Sequence, residues 1–166
     1  MMVLEELLPA VQSNLTRRLE QLKRDIAQSI SAHGLTASGK TANSMYVTST
    51  QFGVALYGRP FFPALETGSS AWTGVTGIRC SYEEFKGIIL NWARAKGLNF
   101  GQNKAYEKAV ANIAWSIMQN GTAQKHKGRL DVYTSLVDEA AEECEKVVMD
   151  EVNVVVNNVI ANWGEK

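Results

Sequence analysis

Two apolar stripes of identical spacing, one at each end, constrain this chain more than any other feature. Leu4, Leu8, Val11, Leu15, Leu19, Leu22, Ile26 and Ile30 step by 4, 3, 4, 4, 3, 4 and 4 residues. Val137, Ala141, Cys144, Val148, Val152, Val155, Val159 and Trp163 step in the same order. Such spacing keeps one face of a helix apolar, so the sequence predicts one long helix over 1–33 and another over 135–163. About thirty residues at 1.5 Å each reach roughly 45 Å, longer than a small domain is wide. Two such helices are expected to share a core and pack on each other. Pro9 either kinks the first or marks its true start, and Gly34 stands where a left-handed cap belongs. In the second, VNVVVNN (152–158) is β-branched and a weak helix former; a strand is the alternative, but the period favours helix.

The segments between read more plainly. SMYVTST (44–50) and GVALYG (53–58) alternate as strands joined by a tight turn at Gln51–Gly53, giving a hairpin over 44–58. Pro60 and Pro63 break the chain, and PALETG forms one helical turn closed by Gly68. SSAWTGVTGIR (69–79) is a small, polar loop. SYEEFKGIILNWARAKG opens with a capping box, Ser81 and Glu84, lines one face with Tyr82, Phe85, Ile89 and Trp92, and stops at Gly97. NKAYEKAVANIAWSIMQNG follows with Asn103 as cap, a Tyr106/Val110/Ile113/Ile117 stripe and Gly121 as stop. TAQKHKGR (122–129) is a basic loop, and LDVYT (130–134) is a candidate third strand. The expected fold is α+β: a small antiparallel sheet packed against long terminal helices and two middle helices, all in one domain over 1–166.

Composition narrows the class. The chain has 166 residues, 45% hydrophobic and 20% charged, enough to bury a core. No apolar run approaches the roughly 20 residues of a membrane span, and Glu5 and Glu6 stand where a secretion signal would be basic. Cys80 and Cys144, without CxxC spacing, give neither a disulfide framework nor a zinc site. His33 and His126 lie far apart, so no metal or other cofactor is expected, and a reducing cytoplasm is the expected compartment. Net charge is zero but graded along the chain. Eight cations against three carboxylates give 81–130 a charge of +5, and two against nine give 131–166 a charge of −7. This gradient excludes a uniformly basic nucleic-acid binder and suits contacts within one subunit or between neighbours.

One motif demands a decision. GLTASGKT (34–41) fits the phosphate-loop pattern G-x-x-x-x-G-K-[ST], with Gly34, Gly39, Lys40 and Thr41 in the constrained places. A working phosphate loop follows a buried strand and opens a helix, so that backbone N–H groups and a helix N-terminus face the phosphates. Here a charged helix precedes the motif and a strand follows. The letters are better explained by Gly34 capping a helix and residues 38–40 turning toward the hairpin. Tyr57, Arg59 and Glu66 imply no catalytic geometry. Trp92 and Trp163 fall on apolar stripes and are expected in the core, whereas Trp72, in its polar loop, is an aromatic that a partner could bury. Lys125, Lys127 and Arg129 belong on a projecting loop.

In this order the motifs resemble the tail-completion, or neck, proteins of tailed bacteriophages, also called head–tail joining or minor tail proteins. The likeness runs through SGKTANSMYV, GVALYGRPFFPALETG, FKGIILNWARAKGL, AYEKAVANIAWSIMQNGTA and GRLDVYTSLVDEA. SSAWTGVTG takes the place of the basic, proline-bearing stretch that relatives often carry after L-E-x-G. The resemblance implies a non-enzymatic structural virion protein, assembled as a hexameric or dodecameric ring between portal-connector and tail. Its implied partners are the connector, a tail-tube or tail-terminator protein, and double-stranded DNA passing without sequence specificity, with no membrane. It would be made in the host cytoplasm and reside in the virion neck. On this likeness Gly39, Lys40 and Thr41 open the hairpin, Gly58 and Arg59 end it, and Glu66 sits in the following turn, all as interface candidates. Trp72, Lys125, Lys127 and Arg129 join them as candidates from their own surroundings, the basic loop facing either the DNA lumen or a neighbour's acidic helix. The alternatives are a nucleotide-binding enzyme using residues 34–41 and a cytosolic helical adaptor unrelated to phage.

Overall fold

The N-terminal stripe forms one helix, α1 (Met2–Ala32), which runs on through Pro9. A computed structural model describes residues 2–36, 38–51, 53–60, 62–69, 81–122 and 131–164. After α1 come a 3-10 turn (Ala42–Ser44), strands β1 (Tyr46–Thr50) and β2 (Gly53–Tyr57), the single-turn α2 (Ala64–Thr67), and helices α3 (Tyr82–Ala95), α4 (Lys104–Asn120) and α5 (Thr134–Gly164). The fold is α+β, with a two-stranded antiparallel sheet laid on helices. Trp72, Lys125, Lys127 and Arg129 lie outside the described residues, as do the side chains of Leu4 and Trp163.

One cap, at Gly34, stops α1 where the sequence expects. Gly34 has φ +66°; its N–H reaches the Ser31 carbonyl and the Leu35 N–H reaches Ile30, both at 2.9–3.0 Å. This pair of hydrogen bonds closes the last carbonyls of the helix, and only a residue at ease with positive φ permits it.

The main core gathers the C-terminal half of the first stripe. Leu22, Ile26 and Ile30 are buried against Met45, Val132 and Ala140, with Leu35, Leu56, Phe62, Tyr133 and Leu136 around them. Each such aliphatic side chain contributes about 1.5–3 kcal/mol. β1 and β2 pair from Tyr46↔Tyr57 to Thr50↔Gly53. Leu56 turns to this core, while Tyr46 and Tyr57 stack on the other face, ring centroids 5.4 Å apart. The expected strand start at 44 moves to Tyr46, because Ser44 closes the 3-10 turn through its hydroxyl on the Thr41 carbonyl.

α5 runs antiparallel to α1, and VNVVVNN is helical within it. Cys144, Val155 and Val159 of its expected stripe are half-buried, but the other described members give way to the residue before them. Ala140 is buried and Leu136 packs with it, while Val137, Val148 and Val152 are exposed. The cause is polar occupation of the seam: Arg18 pairs with Glu143, and Asn14 donates to Glu151 at 2.9 Å. With carboxylates turned inward, the valines beside them face out.

The candidate third strand is not one. Asp131, Val132 and Tyr133 are irregular and Thr134 begins α5, because the N–H groups of 132–134 bond to the Glu66 carboxylate rather than to a strand.

α3 and α4 pack on each other around a second cluster, Ile89, Ala93, Val110 and Ala114, flanked by Phe85, Tyr106, Ile113 and Ile117. The capping box is formed: the Glu84 N–H donates to Ser81 Oγ and the Ser81 N–H to Glu84. Asn103 stands before α4 with φ +45°, and its side chain makes no cap bond. Trp92, expected in the core, is 39% exposed. It lies on the α3 flank that α4 does not cover. The pair is tied to the main core by Ser69 and Thr122, whose backbones and hydroxyls bond at 2.7–3.1 Å, and by Lys96, whose ammonium donates to the Gly34 carbonyl.

Candidate functional site

Because α1 ends at Ala32 and the hairpin starts at Tyr46, the chain beyond the Gly34 cap must cross from the helix end toward β1. In crossing it faces α3, and a groove of about 510 Å³ remains between them. Ile30, Leu35 and Ala42 contribute apolar surface from the main core, and Ile88 and Trp92 from α3. Gly39, Lys40 and Thr41 all line it. Gly39 takes φ +71° and accepts the Asn43 N–H at 2.9 Å. Thr41 precedes the 3-10 turn, its carbonyl accepting the Ser44 N–H and hydroxyl. Lys40 is exposed, and among the described residues no hydrogen bond or ion pair holds it.

The local order here is helix, turn, strand. The motif follows a helix C-terminus, which carries partial negative charge, and opens only a three-residue 3-10 turn. This is not the strand-to-helix order in which a phosphate loop aims its backbone donors. What the groove does present is mixed: apolar side chains, the polar Thr36, Ser38, Thr41 and Asn91, and one cation, Lys40.

Gly58 and Arg59 line a different, smaller groove of about 250 Å³, with Met45, Phe62 and Tyr133. The Phe62 ring lies 3.0 Å from where a Cβ on Gly58 would be, so any larger residue must push the ring away. Arg59 is exposed on this rim, and its carbonyl accepts the Phe62 N–H.

Glu66, expected at an interface, is fully buried inside the chain. Its Oε1 accepts N–H bonds from Val132 at 3.1 Å and from Tyr133 and Thr134 at 2.9 Å. Oε2 accepts the Thr134 hydroxyl at 2.7 Å. One carboxylate thus fastens α2 to the N-terminus of α5, where orphan donors and the helix dipole favour negative charge. Asp131 adds a bond from the Ser135 N–H at 3.0 Å. The L-E-x-G turn is a clamp between elements.

Titration adds little chemistry. Burial pushes the Cys144 thiol up, against the nearby Arg18 guanidinium, which keeps it a poor nucleophile. Among the described residues no three His, Cys, Asp or Glu side chains cluster to hold a metal, and no helix is long and apolar enough to cross a membrane.

Sequence reasoning missed two features. Ile88, four residues before Trp92, walls the groove; the i,i+4 pair was visible, but its side of α3 was not. The C-terminal half of α5 also leaves Val148, Met149, Val152, Val154, Val156 and Ile160 exposed, Ile160 to 63%. Comparison with protein-family models, curated proteins and solved structures gives no match to this chain.

Proposed function

We propose that this chain is a structural virion protein of a tailed phage, a neck component that forms a hexameric or dodecameric ring and joins head to tail around the DNA path. The resemblance of its motifs supplies that reading. The observation that carries it structurally is the bare apolar flank of α5. A helix of 31 residues with exposed valines, a methionine and an isoleucine over its outer turns is built to be covered by neighbours. Both strands of the hairpin are sheet edges among the described residues, which offers a further surface for subunit pairing. In a ring, the opposite charges of residues 131–166 (−7) and 81–130 (+5) favour head-to-tail contact between copies, which closes when the rotation allows. The connector and a tail-tube or tail-terminator protein are the neighbours above and below. DNA sliding through requires only weak, salt-screened contact.

Deleting the gene from its phage tests the proposal. The expected result in electron micrographs is DNA-filled heads and separate tails, with joining restored when the protein is supplied in trans. Normally joined, infectious particles without the protein would overturn it.

A further inference from the structure

We propose that the groove between residues 35–42 and α3 seats the C-terminal half of α5 from a second copy of this chain. The inference rests on the ring reading above and names the contact that would build it.

The two surfaces match in chemistry. The groove has Ile30, Leu35 and Ala42 from the main-core side and Ile88 and Trp92 from α3, with Lys40 beside the polar Thr36, Ser38, Thr41 and Asn91. Ile88, 56% exposed, and Trp92 stand one helical turn apart and form a short ridge. On α5, Val148, Val152, Val156 and Ile160 recur every four residues, with Met149 beside them, and all five are exposed. Rows spaced by four on two helices interdigitate when the helices cross at about −50°. Glu145 precedes Val148 by one turn, is exposed, and has no ion pair among the described residues. It is the carboxylate placed to meet Lys40. A buried aromatic beside a satisfied charge at the rim is the usual make-up of a strong contact.

Geometry excludes a contact within one chain. Ile30, in the groove, belongs to the C-terminal end of α1 and packs in the same cluster as Val132 and Ala140, near the start of α5. Glu151 is bonded to Asn14. From residue 14 to residue 30 is about 24 Å along α1, and the ridge continues away from the groove toward Ile160. A rigid helix cannot turn back over that span. Donor ridge and acceptor groove therefore lie at opposite ends of one molecule, the arrangement that generates head-to-tail association.

Cysteine pairing tests this in a Cys80→Ser/Cys144→Ser background. Reduced chains carrying Ile88→Cys and reduced chains carrying Val152→Cys are exposed to an added disulfide oxidant, each alone and as a mixture. The expected result is a disulfide dimer that forms efficiently only in the mixture. Trp92→Ala should weaken association of the otherwise unaltered protein ~30-fold or more, as a central aromatic does. Lys40→Glu should reduce the mixed cross-link by up to ~5-fold, and combining it with Glu145→Lys on the other chain should restore it. Self-pairing of the Val152→Cys chain would show α5 meeting α5 and overturn the groove contact. So would absence of the mixed product, whether or not rings are seen by light scattering. A ring without this cross-link leaves the proposed function standing. A mixed cross-link from a chain whose deletion leaves the phage normally joined sinks the function and keeps the contact.

Discussion

Replacing Glu66 with alanine should be among the most damaging single changes available in this chain. The side chain is fully buried and accepts hydrogen bonds that include three from the backbone of residues 132–134 and one from the Thr134 hydroxyl. Hydrogen bonds to a charged group are worth about 1.5–3 kcal/mol each, but they do not add when one acceptor serves several donors. Removing one side of a buried, charge-assisted cluster costs about 3–5 kcal/mol. Tyr133 and Thr134 are only half-buried, so water can serve part of what alanine abandons, and the lower half of that range is expected. Gln keeps one carbonyl oxygen for the three N–H groups and loses the charge that the α5 N-terminus favours, for about 1–2 kcal/mol. Urea unfolding followed by far-ultraviolet circular dichroism ranks the three proteins. Hydrogen exchange should show the 132–134 amides losing protection in Glu66→Ala first. If Glu66→Ala unfolds within 1 kcal/mol of the parent protein, or Gln costs as much as Ala, the clamp is not what holds α5 to α2.

Other changes separate core from surface. Leu22→Ala should cost about 2–4 kcal/mol in urea melts, whereas Val152→Asp on the exposed ridge should cost less than about 0.5 kcal/mol; equal losses would mean the ridge is core. Lys40→Ala should leave calorimetric titration with ATP and magnesium unchanged and silent; micromolar binding by the parent that disappears in the variant would restore the phosphate-loop reading. Backbone and side-chain hydrogen bonds from Ser81 hold the Glu84 carboxyl below its ordinary range. A depressed folded value stabilises above the ordinary glutamate range and is lost as pH falls through the depressed value. The difference in urea midpoint between the parent and Glu84→Gln should therefore shrink as pH falls from neutrality through the ordinary glutamate range and below it, and a difference that grows on acidification would contradict the capping box.

The long helices, the hairpin and the α3 cap were legible because each is written in local terms. A stripe at Leu22, Ile26 and Ile30, a Ser81–Glu84 box and a Gly34 stop need no knowledge of what lies across the chain. Misreadings arose where a distant partner decides. LDVYT reads as a strand by composition, yet Val132, Tyr133 and Thr134 give their N–H groups to a carboxylate some sixty-six residues earlier. No local pattern encodes that pairing. Trp92 was assigned to the core from its place on the stripe, and α4 covers only the neighbouring part of that face.

The same logic explains why Val137, Val148 and Val152 of the α5 stripe face outward. Val148 and Val152 continue the apolar period as well as any residue in the chain, and periodicity alone cannot distinguish a face turned to α1 from one turned to a neighbour. What distinguishes them is the polar seam, Arg18 with Glu143 and Asn14 with Glu151. Those pairs fix the rotation of α5 about its axis and turn the aliphatic ridge outward. A seam of leucines would have closed the two helices on themselves and left a smooth, acidic outer face. Ion pairs in a helix seam contribute little net stability, so their effect here is orientational. Replacing Arg18 and Glu143 together by leucine should keep or raise the melting temperature. Freed of its polar lock, α5 should rotate toward burying Val148, and self-association through the ridge should weaken. Undiminished association in that double variant would show that the seam does not set which face α5 presents.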